Sequence, residues 1–215
     1  MRIQHGHMIS WLAGLMLCMS VQLEAQQAGN PAFEFRKLHI NQPKSPEFDA
    51  DKSISYTASS QNWLQLVCEY RVLDPDGWLD NVTFKWNVHL LGAETERLVL
   101  TKSITYDGVE ADGKATQFSV VYFSPRDIRR YYSPRNASIA SSKVVCYLEV
   151  LVDGVKVGEY MVPDRLPQGV PPQWWNSRQV NRIENALLSR SESPWALMDY
   201  DTWVPERPSE KPVAK

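Results

Sequence analysis

From Phe33 to about Pro163 the chain is built from short runs in which apolar and polar residues alternate. Alternation with a period of two sends successive side chains to opposite faces of a pleated strand, so each run predicts a half-buried strand. The runs are Phe33–Ile40, Ser53–Thr57, Asn62–Val72, Val82–Leu90, Arg97–Tyr106, Gln117–Phe123, Lys143–Val152 and Val155–Val162, and they are rich in β-branched and aromatic residues. Asp153-Gly154 lies between two alternating runs and predicts a tight hairpin. Asp74-Pro-Asp-Gly77 predicts a turn, because Pro presets φ and Gly supplies positive φ. The stretches 41–51 and 107–113 read as connectors. The fold class is therefore mainly β: an antiparallel sandwich of seven to eight strands over residues 33–163.

Two segments break the pattern. Ser124-Pro-Arg-Asp-Ile-Arg-Arg-Tyr-Tyr132 offers a Ser N-cap and a Pro at the first helical position, which predicts a short helix crossing between the sheets. Residues 164–205 differ in kind from the strands. Leu166 to Pro172 is a proline-rich connector, and Asn176 or Ser177 can cap a helix running to about Ser189 with Val180, Ile183, Leu187 and Leu188 at helical spacing. An aromatic tail follows to Pro205, and the charged, Pro-containing end, 206–215, predicts disorder.

The N-terminus predicts a signal peptide over residues 1–25: a short polar start with Arg2, an apolar run from Met8 to Leu23, and a small residue, Ala25, at the cleavage point. Residues 26–32 form a mobile leader. This places the protein outside the cytoplasm, periplasmic or at the cell surface, with no membrane span after cleavage. The formal charge of −2 is unchanged by cleavage, since Arg2 and Glu24 leave together. Such balance gives no global attraction to nucleic acid. Of three cysteines, Cys18 departs with the signal, and Cys68 and Cys146 remain. In an oxidising compartment the expectation is a disulfide between them.

Candidate chemistry is sparse. Trp174, Trp175, Trp195, Tyr200 and Trp203 crowd the tail. Each ring buries on the order of 150–250 Å² when packed, so the tail is expected to cover either its own sheets or a protein partner. A sugar-stacking platform aided by Asp199, Asp201 and Asn176 is the other use of such rings. Arg126, Arg129 and Arg130 cluster beside Tyr131 and Tyr132, suited either to a carboxylate or phosphate or to a solvated helix face. His39 and His89 lie in strand patterns, and nucleophile-elbow, zinc-helix, phosphate-loop and Cys-x-x-Cys motifs are absent. Asp74-Pro-Asp-Gly could touch calcium but lacks the further carboxylates of a complete loop. No enzyme, cofactor or metal is expected. Asn81 and Asn136 match the glycosylation acceptor pattern.

Cys68, Trp86 and Cys146 on three separate strands resemble the Cys–Trp–Cys framework of an immunoglobulin-like domain, which implies a disulfide joining the sheets with the core indole of Trp86 packed on it. The resemblance departs from antibody domains at Val144, where a tyrosine corner needs Tyr. The export signal, the sandwich and the tail Ser193-Pro-Trp195 and Tyr200-Asp-Thr-Trp203 together resemble small exported verrucomicrobial proteins, some encoded beside type IV pilus-like assembly genes. That resemblance implies a non-catalytic structural or interaction role in the envelope, through a protein partner or self-assembly. A glycan-binding module is the alternative function.

Overall fold

The computed structural model describes residues 31–46, 61–93, 98–133, 138–198 and 203–207, with backbone only at 75 and 76. The signal peptide, most of the leader, the run Ser53–Thr57, Arg135, Asn136, Tyr200 and the end beyond Arg207 lie outside these residues.

The alternating runs become strands: β1 Ala32–Asn41, β2 Leu64–Leu79, β3 Val82–Leu90, β4 Leu98–Tyr106, β5 Val109–Asp112, β6 Gln117–Phe123, β7 Val144–Val152, β8 Val155–Val162 and β9 Asn181–Glu184. In the first sheet, β1 pairs with one edge of β2, and β5 and β6 share the other edge. The second sheet has the order β8-β7-β3-β4-β9, and only the β4–β9 pair is parallel. Inward side chains of both sheets meet in one core: Leu66, Cys68, Tyr70, Phe123 and Val121 from the first, and Phe84, Trp86, Val88, Leu100, Cys146 and Leu148 from the second. Trp86 is buried there. Its indole N–H donates to Ser119 Oγ at 3.2 Å, and Ser119 stands in register with Cys68. Tyr106 Oη lies 3.0 Å from the same Ser119 oxygen, so one hydroxyl serves two buried partners across the core.

The hairpin and the crossover form where expected. Asp153 and Gly154 take φ of 51° and 78° between β7 and β8. Ser124 Oγ accepts from the Asp127 amide at 3.1 Å and caps Pro125–Asp127, which continues as a π-helical turn, Ile128–Tyr132. Ile128 and Tyr132 enter the core, which anchors this turn between β6 and β7.

Three expectations are corrected. Asp74–Gly77 is no chain reversal: β2 runs on to Leu79, and its register against β5 shifts between Leu73 and Trp78, with Gly77 at φ 76°. The tolerance of Pro and Gly for a turn here serves a strand irregularity instead.

The predicted helix from 176 to 189 does not form. A single 3-10 turn, Trp174–Asn176, is followed by β9. β4 is the edge of its sheet without β9, and four residues of parallel pairing satisfy its ladder groups. The residues at helical spacing scatter. Val180 joins the outer face of the second sheet, Ile183 and Leu187 join the central core, and Leu188 joins the outer face of the first sheet.

The third correction concerns the cysteines. Cys68 and Cys146 are free thiols, buried on the inward faces of opposite sheets. Alternation assigns each its face; it does not dictate the sulfur approach of about 2.05 Å that a bridge needs. Burial pushes both thiols well above their ordinary value, aided at Cys68 by Glu69 and at Cys146 by Cys68, so both stay protonated.

Candidate functional site

The distinctive region is the tail, and its path explains its composition. Strands of an ordinary half-exposed sheet carry polar residues outward. Here β7 has Val145 and Tyr147 outward, β4 has Val99, β2 has Val67 behind Trp63, and β6 has Val120 and Tyr122, all buried. Each sheet therefore has an apolar patch on its outer face, and the tail covers each in turn.

On the second sheet, Trp174 is fully buried against Val99, Val145 and Tyr147. His89 faces it at 5.5 Å between ring centroids and lies 2.9 Å through Nδ1 from the Leu98 carbonyl, which can only accept. Trp175 stacks on Tyr147 at 3.9 Å and nearly parallel, and its carbonyl accepts from Arg182. Tyr147 carries a polar rim: its hydroxyl donates to Glu159 at 2.9 Å and accepts from Lys156 at 3.2 Å.

The chain then crosses the β4 edge as β9, and Leu188 pairs with Tyr122 of β6 through two backbone hydrogen bonds of 2.8 Å. That step carries the tail onto the first sheet. Trp195 stacks on Tyr122 at 4.8 Å and meets Trp63 edge-on at 5.2 Å, while Trp203 leans on Phe118 at 5.8 Å. These aromatic contacts and the side chain of Leu188 are the tail's apolar hold on this face, and Trp195 and Trp203 stay half-buried.

Polar groups complete the attachment. Lys102, nearly buried, binds Glu192 at 2.7 Å, and Glu192 also accepts from the Ser189 amide at 2.9 Å. Burial alone would raise the Glu192 carboxyl, but Lys102 and the Ser189 amide hold it below its ordinary value. Glu206 is gripped by the turn at 189–191: it accepts from Ser189 Oγ at 2.6 Å, Ser191 Oγ at 2.5 Å, and the amides of Arg190 at 2.9 Å and Ser191 at 3.2 Å. Arg207 extends the clasp, with its amide on the Thr105 carbonyl at 2.8 Å and its guanidinium on Asp107 and on the side chain of Asn81. Glu206 and Arg207 thus belong to the folded tail rather than to the charged end.

The structure brings four of the sequence-selected aromatics, Trp174, Trp175, Trp195 and Trp203, onto the protein's own sheets, in two groups on opposite outer faces. It does not join the arginine cluster to either group. Arg126, Arg129 and Arg130 point to solvent from the crossover turn, with Arg129 donating to Gln61 at 2.9 Å and Arg130 lying 4.7 Å over its neighbour Tyr131. Sequence reading passed over Arg190 and Glu206, which organise the second patch. Their spacing carries no motif. The apolar run Val144–Leu148, with no polar outward position, was the legible sign that an outer face is covered.

Among known proteins, a crystal structure of a protein from Akkermansia muciniphila superposes with a TM-score of 0.68 over 83% of this chain and 94% of that one, at 20% identity. At that identity the likeness shows the fold. No curated protein matches in sequence. A protein-family model matches residues 24–210, a span that takes in both sheets and the whole docked tail, and the chain belongs to the family that model describes.

Proposed function

We propose that the protein is a non-catalytic, exported structural or interaction component of a bacterial envelope, with an immunoglobulin-like sandwich as its scaffold and a place in a surface or pilus-associated assembly. The strand order supports the scaffold reading: two sheets, antiparallel but for the β4–β9 pair, in which Cys68, Trp86 and Cys146 all point into a shared core.

One observation carries the interaction reading. Of the five exposed large apolar side chains among the described residues, Leu197 and Met198 lie in the tail, while Leu73 is 59% exposed, Trp78 63% and Val155 60%. All three belong to the end of the sheets where β1 begins and where β2 turns into β3 and β7 into β8. Large apolar side chains gathered at one end of a fold favour a partner surface. Because the tail rings lie on the protein's own sheets, this end is the surface offered to a protein partner or a second copy.

The test is cross-linking of the full-length protein in its native envelope, with and without Leu73→Glu and Trp78→Glu together. The expected result is a cross-linked complex that the double variant loses while its melting temperature holds. Recovery of the wild type as an uncross-linked monomer, or equal cross-linking of the variant, overturns the interaction reading. Recovery from the cytoplasm overturns export.

A further inference from the structure

We infer that the cleft between the 189–191 turn and Trp203 is a binding site for a small organic carboxylate, with Arg190 as its anchor. Arg190 is only 8% exposed. Its Nη1 donates to the Ala196 carbonyl at 3.2 Å, and its guanidinium lies 5.2 Å over the Trp203 ring. Its Nη2 is buried with no hydrogen-bond partner. Among the described residues, no carboxylate pairs with this guanidinium, whereas Lys85, Lys102, Lys156 and Arg207 each have one. A buried guanidinium donor without an acceptor is unfavourable, and the edge of a guanidinium is shaped for the two oxygens of a carboxylate.

The space beside it is a cleft of about 180 Å³ lined by Tyr106, Arg190, Ser191, Trp203, Val204 and Glu206, among others. The one acid among the described residues of that lining, Glu206, is already satisfied by the hydroxyls of Ser189 and Ser191 and the amides of Arg190 and Ser191. Its charge sets the ligand class. A monoanion can pair with Arg190 beside Glu206, while a phosphate dianion there meets added repulsion. The volume admits an acid the size of one sugar ring, and the apolar side of the cleft, Trp203 and Val204, suits a ring or short chain attached to the carboxylate. The site is independent of the partner surface at Leu73 and Trp78.

The experiment is a titration of the full chain, followed by side-chain arginine and indole NMR resonances, with glucuronate, acetate and glucose as probes. The expected result is a saturable shift of the Arg190 guanidinium and Trp203 indole signals with glucuronate, and none with glucose. Acetate separates the sources: equal affinity assigns binding to the carboxylate alone, and weaker affinity shows that the sugar ring contributes. Either supports the site. Arg190→Lys, which keeps the charge but loses the planar fork, is expected to weaken glucuronate binding at least tenfold. Should that variant melt early, Trp203→Phe is the second probe, with a several-fold loss expected. Absence of saturable shifts in the wild type, or shifts of equal size with glucose, overturns the proposal.

Discussion

The two outer faces of the molecule solve one problem in different ways. On the second sheet the cover is dry: Trp174 has no exposed surface and sits among Val99, Val145 and Tyr147. On the first sheet the cover is wetter: Trp195 and Trp203 are half-buried, and the segment is held by a polar clasp of Ser189, Arg190, Ser191, Glu192 and Glu206. The difference teaches what each patch is for. Burial of a large indole fixes position through packing, even with Trp174 Nε1 left without a hydrogen-bond partner inside it. A polar clasp fixes position through directional bonds and leaves a cleft with a spare donor beside it.

If the dry face is the anchor, its loss is the most damaging single change. Trp174→Ala is expected to destabilise the fold by about 3–5 kcal/mol, read from urea unfolding. A loss below about 1 kcal/mol would erase the distinction between the faces. On the wet face, Glu206→Ala leaves two hydroxyls and two amides to find water, an effect of about 1–3 kcal/mol. Its signature is local: faster hydrogen exchange in residues 187–207 with strands β3 and β7 unchanged. Global acceleration would mean that the two faces are one cooperative unit. The smallest effect is at the Lys102–Glu192 pair, where partial exposure limits Glu192→Gln to about 0.2–1 kcal/mol. Glu192 is held below its ordinary value in the folded protein, so its contribution is present at neutral pH and lost as pH falls through and below the ordinary glutamate range. The gap between wild type and variant in unfolding titrations is therefore expected to close on acidification. A gap constant down to low pH would remove the ion pair from the account.

The strands were legible because their runs are apolar at every second position: burial alternates at the start of β1 and over Val82–Val88 of β3, while β6 and β7, covered by the tail, are buried on both faces. β9 was not. Val180, Ile183, Leu187 and Leu188 obey helical spacing, yet each packs where the path of the tail delivers it, so periodicity had no single face to report. β5 was hidden in a Gly- and Asp-rich stretch that reads as a connector, because four residues of pairing to β2 leave almost no pattern. The tail aromatics announced burial but not against what; that answer lay in the outward positions of other strands, far away in sequence. The cysteine pair showed its two facing sheets and not its bonding state. Arg190 and Glu206 were silent, since a cleft joining residues 106, 190 and 206 exists only after the tail has docked.

The parallel pairing of β9 on β4 also sets an order of events. The strand that closes the β4 edge starts at Asn181, and the clasp that secures it ends at Arg207, so both follow strands β1 to β8 in the chain. Until then the chain carries a bare strand edge and two uncovered apolar faces, the surfaces through which unfinished β proteins associate wrongly. Maturation of this fold thus waits on residues 174–207, and a chain truncated before Trp174 is expected to need an escort from which a chain carrying that segment is released.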